Sequence, residues 1–509
     1  MAPHFPSTVG QILERTAARV PARTALIVAE REWTYADLDA GVGRVAARLL
    51  ELGLAPGDHV AAYGKNSDAY LLLFLGCARA GLVHVPVNFN AVFDELSYLL
   101  EQSGSAAVFC DPALAEHVDA LSLGGLHRGS LRDGDVLSWA RDADAPQHAE
   151  HDVDDADLAQ LLYTSGTTSR PKGAMMTHRA FVHEYLSCLT ALDLDERDVP
   201  LHSLPLYHSA QMHVLLMPYL AIGAVNHLVE APDPGDMLER VERDGVSSIF
   251  APPTVWVGIA NHPEFATRDL SALTKAYYGA SIMPVPVLQA IRERLPDCGF
   301  YNCFGQSEIA PLATVLRPEE HDARPDSAGR PVLFVQARVV DAELRDVAPG
   351  ELGEVVYRSP QLCTGYWDKP EETEEAFAGG WFHSGDLVRS DEEGYLFVVD
   401  RIKDVINTGG VLVASREVEE VLYAHPAVEE VAVIGLPHER WIEAIAAVVV
   451  ARAPVAEGEL TAFARERLAA HKVPKAVHLV DALPKNPSGK LLKRELRERF
   501  GGSGSAIGP

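Results

Sequence analysis

Apolar positions recur along the chain with two periods, and the alternation between those periods predicts the architecture. In TVGQILERTAARV, Val9, Ile12, Leu13 and Ala17 fall on one helical face. The run LLFLGCARAG followed by HVPVNF reads as a buried helix feeding a buried strand, the rhythm of layered α/β structure. Asp157 to Leu162 reads as a short apolar strand, and Phe181, Val182, Tyr185, Leu186 and Leu189 define a helix face downstream. Near Asp400 the texture changes to a module of about a hundred residues with its own small core. It is predicted to hold helices over Arg416 to Tyr423 and Glu459 to Ala470. Its strands are predicted over Val431 to Leu436, Ala444 to Val450 and Ala476 to Val480. No period of 20 to 50 residues suggests a solenoid. The expected fold is therefore α/β, with a large N-terminal multi-subdomain α/β domain over 1–400. A short hinge (401–403), a small, mobile C-terminal α+β lid domain (404–500) and a Gly/Ser-rich, disordered tail (501–509) follow.

At 509 residues the chain is too long for one ordinary core. Its 47% hydrophobic and 23% charged residues fit a soluble globular protein. The 44 Lys and Arg face 72 Asp and Glu, a formal charge of −28. Such a surface repels phosphate backbones and anionic lipid, so nucleic acid and membrane surfaces are poor partners, and an anionic ligand needs a locally basic site. The six cysteines show no CxxC spacing and read as buried thiols in a reducing compartment. The N-terminus lacks a basic start followed by an apolar run. The most apolar stretch, near Ala69 to Val87, is interrupted by Arg79 and too short to span a bilayer. A cytoplasmic protein is expected.

Between the strand at Asp157 and the helix at Phe181 lies YTSGTTSRPKG, Tyr163 to Gly173. Thr164, Ser165, Gly166, Thr167, Thr168 and Ser169 carry no bulk, so backbone N–H groups can wrap an anion while hydroxyls donate. Arg170 and Lys172 add positive charge and Pro171 stiffens the exit. Read alone, the segment is an anion-binding loop or a polar linker. It is not the GxxxxGK[ST] loop, because Gly166 and Lys172 are wrongly spaced and no hydroxyl follows the lysine.

YTSGTTSRPKG closely resembles the signature of the adenylate-forming (AMP-binding) superfamily, which includes acyl-CoA synthetases, aryl-CoA ligases, adenylation domains and firefly luciferase. Further motifs resemble that family in order over nearly the whole chain, and the acyl-CoA synthetase or fatty-acyl-CoA ligase branch is the one implied. The resemblance implies ATP-dependent conversion of a carboxylic acid to an acyl-adenylate, then transfer to CoA with release of AMP and pyrophosphate. ATP, Mg²⁺ and CoA are the implied cofactors.

Residue by residue, the resemblance assigns the triphosphate to Thr164, Ser165, Gly166, Thr167, Thr168 and Lys172. YNCFGQSEIA resembles the adenine and metal motif, with Asn302, Phe304, Gly305 and Gln306 on the nucleotide. Phe304 offers a flat face to a purine, and Gly305 permits close backbone approach. Glu308 is a hard oxygen ligand for Mg²⁺, with Thr167 as second metal contact, and Ser307 stands where the family usually has threonine. Gly279, Ala280 and Ser281 match the segment beside the adenine and acyl group. Asp386 and Arg401 match the ribose-binding pair, Lys403 the hinge, and His208 in PLYHSAQMH an acyl-tunnel gate; His213 receives no role. Lys490 in PKNPSGK matches the lid lysine that neutralises charge during adenylation.

Gly409 and Gly410 match glycines lining the pantetheine tunnel, and Trp441 an aromatic near the CoA nucleotide. Here the chain departs from the family: Val411 and Leu412 replace a Glu-Asn pair, and Ile442 replaces a glycine. Small and apolar residues around His208, Trp256, Gly279 to Met283 and Phe304 to Ala310 suggest a bulky hydrophobic acid. A medium- or long-chain fatty acid is expected first, an aryl or natural-product acid second. A carrier-protein phosphopantetheine is the alternative acceptor, and a catalytically silent AMP-binding scaffold the alternative of another class. By family analogy the protein is a monomer or homodimer.

Overall fold

A computed structural model describes residues 7–148, 152–164, 170–279, 283, 285–438, 441–485 and 491–501. It is a mixed α/β molecule with a large N-terminal and a small C-terminal part. The chain divides into two compact units, one of residues 1–165, 171–337 and 357–382, the other of 166–170, 338–356 and 383–509.

The first unit holds two large sheets. One is six-stranded, in the order His127–Ser130, Ser105–Cys110, His59–Tyr63, Val83–Val87, Leu158–Thr164 and Lys172–Thr177. It is parallel except for the last strand, which returns antiparallel on Leu158–Thr164. The other is nine-stranded, with a parallel centre running from Gly299–Gly305 through Lys275–Gly279 and Ser248–Ala251 to Thr24–Val28. Parallel strands sandwiched between helices are apolar on both faces. His59–Tyr63 and Val83–Val87 are accordingly buried at every position.

The helix Asp68–Ala80 shows how local signals set these elements. Ser67 caps it by accepting from Tyr70 N at 3.1 Å, and Gly81 ends it in the left-handed region at φ 71. Every residue between is buried, including two charges. Arg79 donates to the Asp39 carbonyl at 3.0 Å and pairs with the Asp39 carboxylate. Asp68 takes Arg31 Nε at 2.6 Å, Arg31 Nη2 at 2.8 Å and Trp33 Nε1 at 3.0 Å. Burial is tolerated because each charge is paired and hydrogen-bonded. Among the described residues, no helix is long and apolar enough to cross a membrane.

A four-stranded sheet comprises Gln336–Val340, Gly353–Arg358, Phe382–Ser390 and Leu396–Arg401 in that order. The second unit also carries a five-stranded sheet built on the long antiparallel pair Val428–His438 and Ile442–Ala451. Helices Ser415–Tyr423, Glu457–Arg465 and Lys493–Gly501 accompany this sheet. Leu496 and Leu483 pack with Ile434, Leu436, Ala446 and Val448 on one face, while Val418, Leu422, Leu460 and Val477 join Val431 and Val433 on the other.

Candidate active site

In the first unit the site grows from the ends of the strands Leu158–Thr164, Gly299–Gly305 and Lys275–Gly279. Leu158–Thr164 carries Thr164 at its tip, opposite Lys172. The connecting residues Ser165, Gly166, Thr167, Thr168 and Ser169, which carry most of the phosphate-loop expectation, lie outside the described residues, as do Ala280, Ser281 and Lys490. What is described is the anchoring of the loop. Tyr98 Oη donates to the Pro171 carbonyl at 3.0 Å, Tyr163 donates to the Gln102 side chain, and Trp367 N donates to the Gly173 carbonyl at 2.8 Å.

The second strand end is Gly299–Gly305, followed by the tight turn Ser307–Ile309. Two glycines are dictated by close approach here. A Cβ on Gly279 would lie 2.2 Å from the Cys303 carbonyl oxygen, and one on Gly305 would lie 2.0 Å from that of Pro311. The backbone of these strand ends therefore passes closer than any other residue allows.

Glu308 sits in the turn, buried, and gathers the site. Its Oε1 accepts from Thr164 Oγ1 at 3.2 Å and from Tyr366 Oη at 3.1 Å, and its carbonyl accepts from Cys363 N at 2.8 Å. Lys172 Nζ lies 5.3 Å from the centre of the Tyr366 ring, so a cation, a phenol and a carboxylate meet at the mouth of the loop. Burial and the adjacent Glu308 charge push the Tyr366 phenol up, which keeps it a hydrogen-bond donor. Tyr366 was not anticipated from sequence; an isolated TGYW offers only an aromatic, and its role depends on contact with a residue 58 positions away.

Ser307 Oγ meets Ser209 Oγ at 3.0 Å, which brings the stretch containing His208 to the same turn. His208 Nε2 is buried with no hydrogen-bond partner among the described residues, and its ring lies 4.6 Å from that of Tyr207. Burial pulls the imidazole down to about 4, so it is neutral at ordinary pH. Tyr207 Oη and Gln306 Nε2 are likewise buried without a partner among the described residues. Polar atoms left in this way are places where a ligand can complete the bonding. Asn302 is different: its Nδ2 donates to the Ser327 carbonyl at 2.9 Å, a structural bond. Trp256 is fully buried, with Nε1 donating to the Tyr277 carbonyl at 3.1 Å, which makes it a core residue.

Phe304 lies in the strand Gly299–Gly305 of the first unit, and the second unit holds the other expected residues. Asp386 and Arg401 face each other in register across antiparallel strands, with Arg401 Nε 2.7 Å from Asp386 Oδ1. Arg401 Nη1 also donates to the Ser384 carbonyl at 3.1 Å, and Asp386 N donates to Ser384 Oγ at 3.0 Å. Lys403 follows in the turn Ile402–Asp404. Gly409 and Gly410 form the turn between Ile406–Thr408 and Val411–Val413, with φ of 67 and 89. Gly409 N donates to the Trp441 carbonyl at 2.7 Å, and the Trp441 ring stacks on His438 at 4.5 Å with Lys475 Nζ 5.1 Å from its centre.

Ile442, the departure from a family glycine, has φ 65 and is 60% exposed. A β-branched residue is strained there and gains little packing in return. Ile442→Gly is therefore expected to raise the unfolding free energy by ~1 kcal/mol, read from a denaturant titration; a loss of that size would show that the isoleucine contacts outweigh the strain.

The AMP-binding enzyme model matches residues 13–367, and the AMP-binding enzyme C-terminal domain model matches residues 417–490. A feruloyl-CoA synthase from Amycolatopsis sp is 40% identical over 96% of this chain and 98% of its own. A long-chain-fatty-acid–CoA ligase from Mycobacterium tuberculosis is 34% identical over 97% of this chain and 98% of its own. The crystal structure of ATP-bound MatB from Rhodopseudomonas palustris superposes with a TM-score of 0.88 at 30% identity, covering 97% of this chain and 99% of that one. The chain belongs to the AMP-binding enzyme family, as an AMP-forming acid–thiol ligase of the acyl-CoA synthetase branch.

Proposed function

We propose that this enzyme activates a bulky aryl acid of the hydroxycinnamate type with ATP and passes the acyl group to CoA. The observation that carries the reading is the 40% identity to a feruloyl-CoA synthase across 96% of the chain. Physical support comes from the buried Tyr207 Oη and His208 Nε2, which have no partner among the described residues and suit an acid bearing polar ring substituents. A site built to hydrogen-bond a hydroxyl discriminates strongly against an analogue lacking it. The second reading, a medium- or long-chain fatty acid, is favoured by the 34% identity to a long-chain-fatty-acid–CoA ligase.

In the first half-reaction the carboxylate attacks the α-phosphorus of ATP and pyrophosphate leaves. Thr164, Lys172, Ser307 and the loop hydroxyls orient the phosphates, and Lys490 neutralises developing charge. Glu308 fits Mg²⁺, which is usually held by one or two carboxylates together with substrate phosphates. Among the described residues there is no group of three or more His, Cys, Asp or Glu that forms a closed metal cage. The cation would supply charge neutralisation on the phosphate oxygens. Asp386 and Arg401 hold the ribose, neutral His208 borders the acyl group, and Gln306 completes its bonding on the nucleotide. In the second half-reaction the CoA thiol attacks the mixed anhydride along the Gly409–Gly410 turn beside Trp441, and AMP leaves. Lys403 is the hinge about which the C-terminal domain turns between the two steps. Six free, buried cysteines suit a reducing, cytoplasmic setting.

Pyrophosphate release measured across hydroxycinnamic, benzoic and fatty acids, with and without CoA, tests the reading. The expected order places hydroxycinnamates first, with CoA ester formed and no carrier protein needed. A preference for C12 to C18 acids would replace the first reading by the second. Lys490→Ala is expected to lower carboxylate-dependent ATP–pyrophosphate exchange by ~10²-fold or more while sparing CoA transfer from preformed acyl-adenylate. Intact exchange in that variant would refute the role given to the lysine.

A further inference from the structure

Four polar side chains form a continuous, fully buried chain through the first unit. Tyr185 Oη meets His213 Nδ1 at 2.9 Å, His213 Nε2 meets Gln160 Oε1 at 2.9 Å, and Gln160 Nε2 meets His84 Nδ1 at 2.9 Å. They come from four elements: the helix His178–Ala191, the π-helical segment Ala210–Leu216, the strand Leu158–Thr164 and the strand Val83–Val87. The directions of the bonds are mutually consistent. Tyr185 donates to His213 Nδ1, His213 Nε2–H donates to Gln160, and the Gln160 amide donates to His84 Nδ1. The His84 ring meets those of Tyr70 and Phe74 edge-on, with ring centres 5.6 and 5.3 Å apart, and its Nε2 is buried with no partner among the described residues. Phe181 stacks on the His213 ring at 3.9 Å. Burial keeps both imidazoles neutral.

An apolar core of the same shape would be at least as stable, because desolvating these groups is costly. The position of the chain suggests why it is there. Side chains alternate along a strand, so Gln160, Leu162 and Thr164 share a face. Thr164 Oγ1 is the donor to Glu308 at 3.2 Å. On the other side, His213 sits one helical turn beyond Ser209, whose hydroxyl meets Ser307 at 3.0 Å. The contacts therefore close a ring: Glu308 to Thr164, along the strand to Gln160, across to His213, back along the helical segment to Ser209, and on to Ser307. A π-helical segment has a looser backbone register than an α-helix and is frequent at functional sites, so an internal tether there has something to fix.

We propose that Gln160 and His213 are positioning residues that lock the phosphate-loop strand against the π-helical segment, so that the Thr164 and Ser209 hydroxyls hold the Ser307–Glu308 turn from both sides. The inference rests on the assignment of that turn to adenylation. Neither residue touches a reactant. Their removal should change the rate of adenylate formation more than substrate affinity.

The test uses Gln160→Leu, His213→Phe, their combination, and His213→Gln, whose amide can still donate to Gln160. Each variant is followed by circular dichroism melting, by ATP–pyrophosphate exchange and by crystallography. Gln160→Leu and His213→Phe are expected to lower kcat for exchange at least tenfold with KM for ATP within twofold, at temperatures where each is folded. The combination should be no slower than the worse single change, because both cut the same tether, and His213→Gln should recover most of the rate. In crystals of either slow variant the Thr164–Glu308 or Ser209–Ser307 contact should open beyond hydrogen-bonding distance. Unchanged kcat in a folded variant, fully multiplicative losses, or both contacts intact would overturn the proposal. If the unmodified enzyme exchanges pyrophosphate with no acid, the functional assignment fails, and the crystallographic contacts still decide whether the tether sets the turn.

Discussion

Replacing Glu308 by glutamine is expected to lower acyl-adenylate formation by ~10²-fold or more while leaving the melting temperature within a few degrees of that of the unmodified enzyme. The two effects separate because of what surrounds the carboxylate. Its Oε1 accepts from two hydroxyls, Thr164 and Tyr366, and both can rotate to accept from an amide instead. The turn itself is held by backbone, through Cys363 N to the Glu308 carbonyl at 2.8 Å, a bond the substitution does not touch. The fold therefore loses little. Function loses the negative charge placed beside the phosphate loop, where a divalent cation bridging phosphates would need it. Burst kinetics of pyrophosphate release at several Mg²⁺ concentrations provide the measurement. The expected result is a slow burst whose half-saturating Mg²⁺ rises. A burst of normal rate in Glu308→Gln would remove the carboxylate from the reaction and leave it a structural acceptor.

Much of this site was legible because its residues lie in contiguous strings whose chemistry is local. Thr164, Lys172, Glu308, Asp386 and Arg401 were singled out from sequence, and the structure gathers Thr164, Lys172 and Glu308 in one unit and pairs Asp386 with Arg401 in the other. Elements with strong periodicity were also readable. The helix expected around Val9 to Ala17 is Val9–Arg19, and the helix and strand expected around Leu72 to Phe89 are Asp68–Ala80 and Val83–Val87. The reading failed where contacts are distant or where tertiary structure overrides propensity. The helix expected over Glu459 to Ala470 is Glu457–Arg465; of the helix-favouring RLAA that follows, Leu468 alone packs on the core, and Arg467, Ala469 and Ala470 are exposed. The antiparallel strand Lys172–Thr177 was hidden inside what reads as a loop exit. Tyr366, Gln160 and His213 could not be placed, since each acts through a partner more than fifty positions away. A lone buried histidine is usually a satisfied core residue, and only geometry shows what this one is tied to.

The same buried imidazoles make the fold acid-labile in a defined window. His84, His178, His202 and His213 are completely enclosed. Burial pulls His84 down to about 3, His178 and His202 to about 4, and His213 well below the ordinary value. In the unfolded chain each would take up a proton near pH 6.5. Between about pH 6.5 and 4 the unfolded state therefore binds more protons than the native state, so stability falls as pH falls. Each such group contributes a slope approaching ~1.4 kcal/mol per pH unit once its unfolded form is protonated. Four together amount to about 11 kcal/mol over two units, comparable to the whole stability of a marginally stable fold. Buried acids work in the opposite sense. Glu184 is fully enclosed, accepts from Leu312 N at 2.9 Å and from Gln361 Nε2, and is pushed up by burial. Its native form gains protons above the unfolded value near pH 4.3, so it favours the fold on acidification, as does Asp111, which burial also pushes up; the depressed imidazoles outnumber both. Melting temperature is thus expected to drop steeply below pH 6, with net proton uptake on unfolding at pH 5. Glu184→Gln removes this compensation, so the acid limb should be steeper in that variant. His202→Gln, which can keep the contact with Asn226, should make the acid limb shallower by about one proton. A melting temperature independent of pH between 6.5 and 5 would mean that these imidazoles are protonated in the native state, and the bonding directions assigned to the Tyr185–His213–Gln160–His84 chain would then be wrong as well.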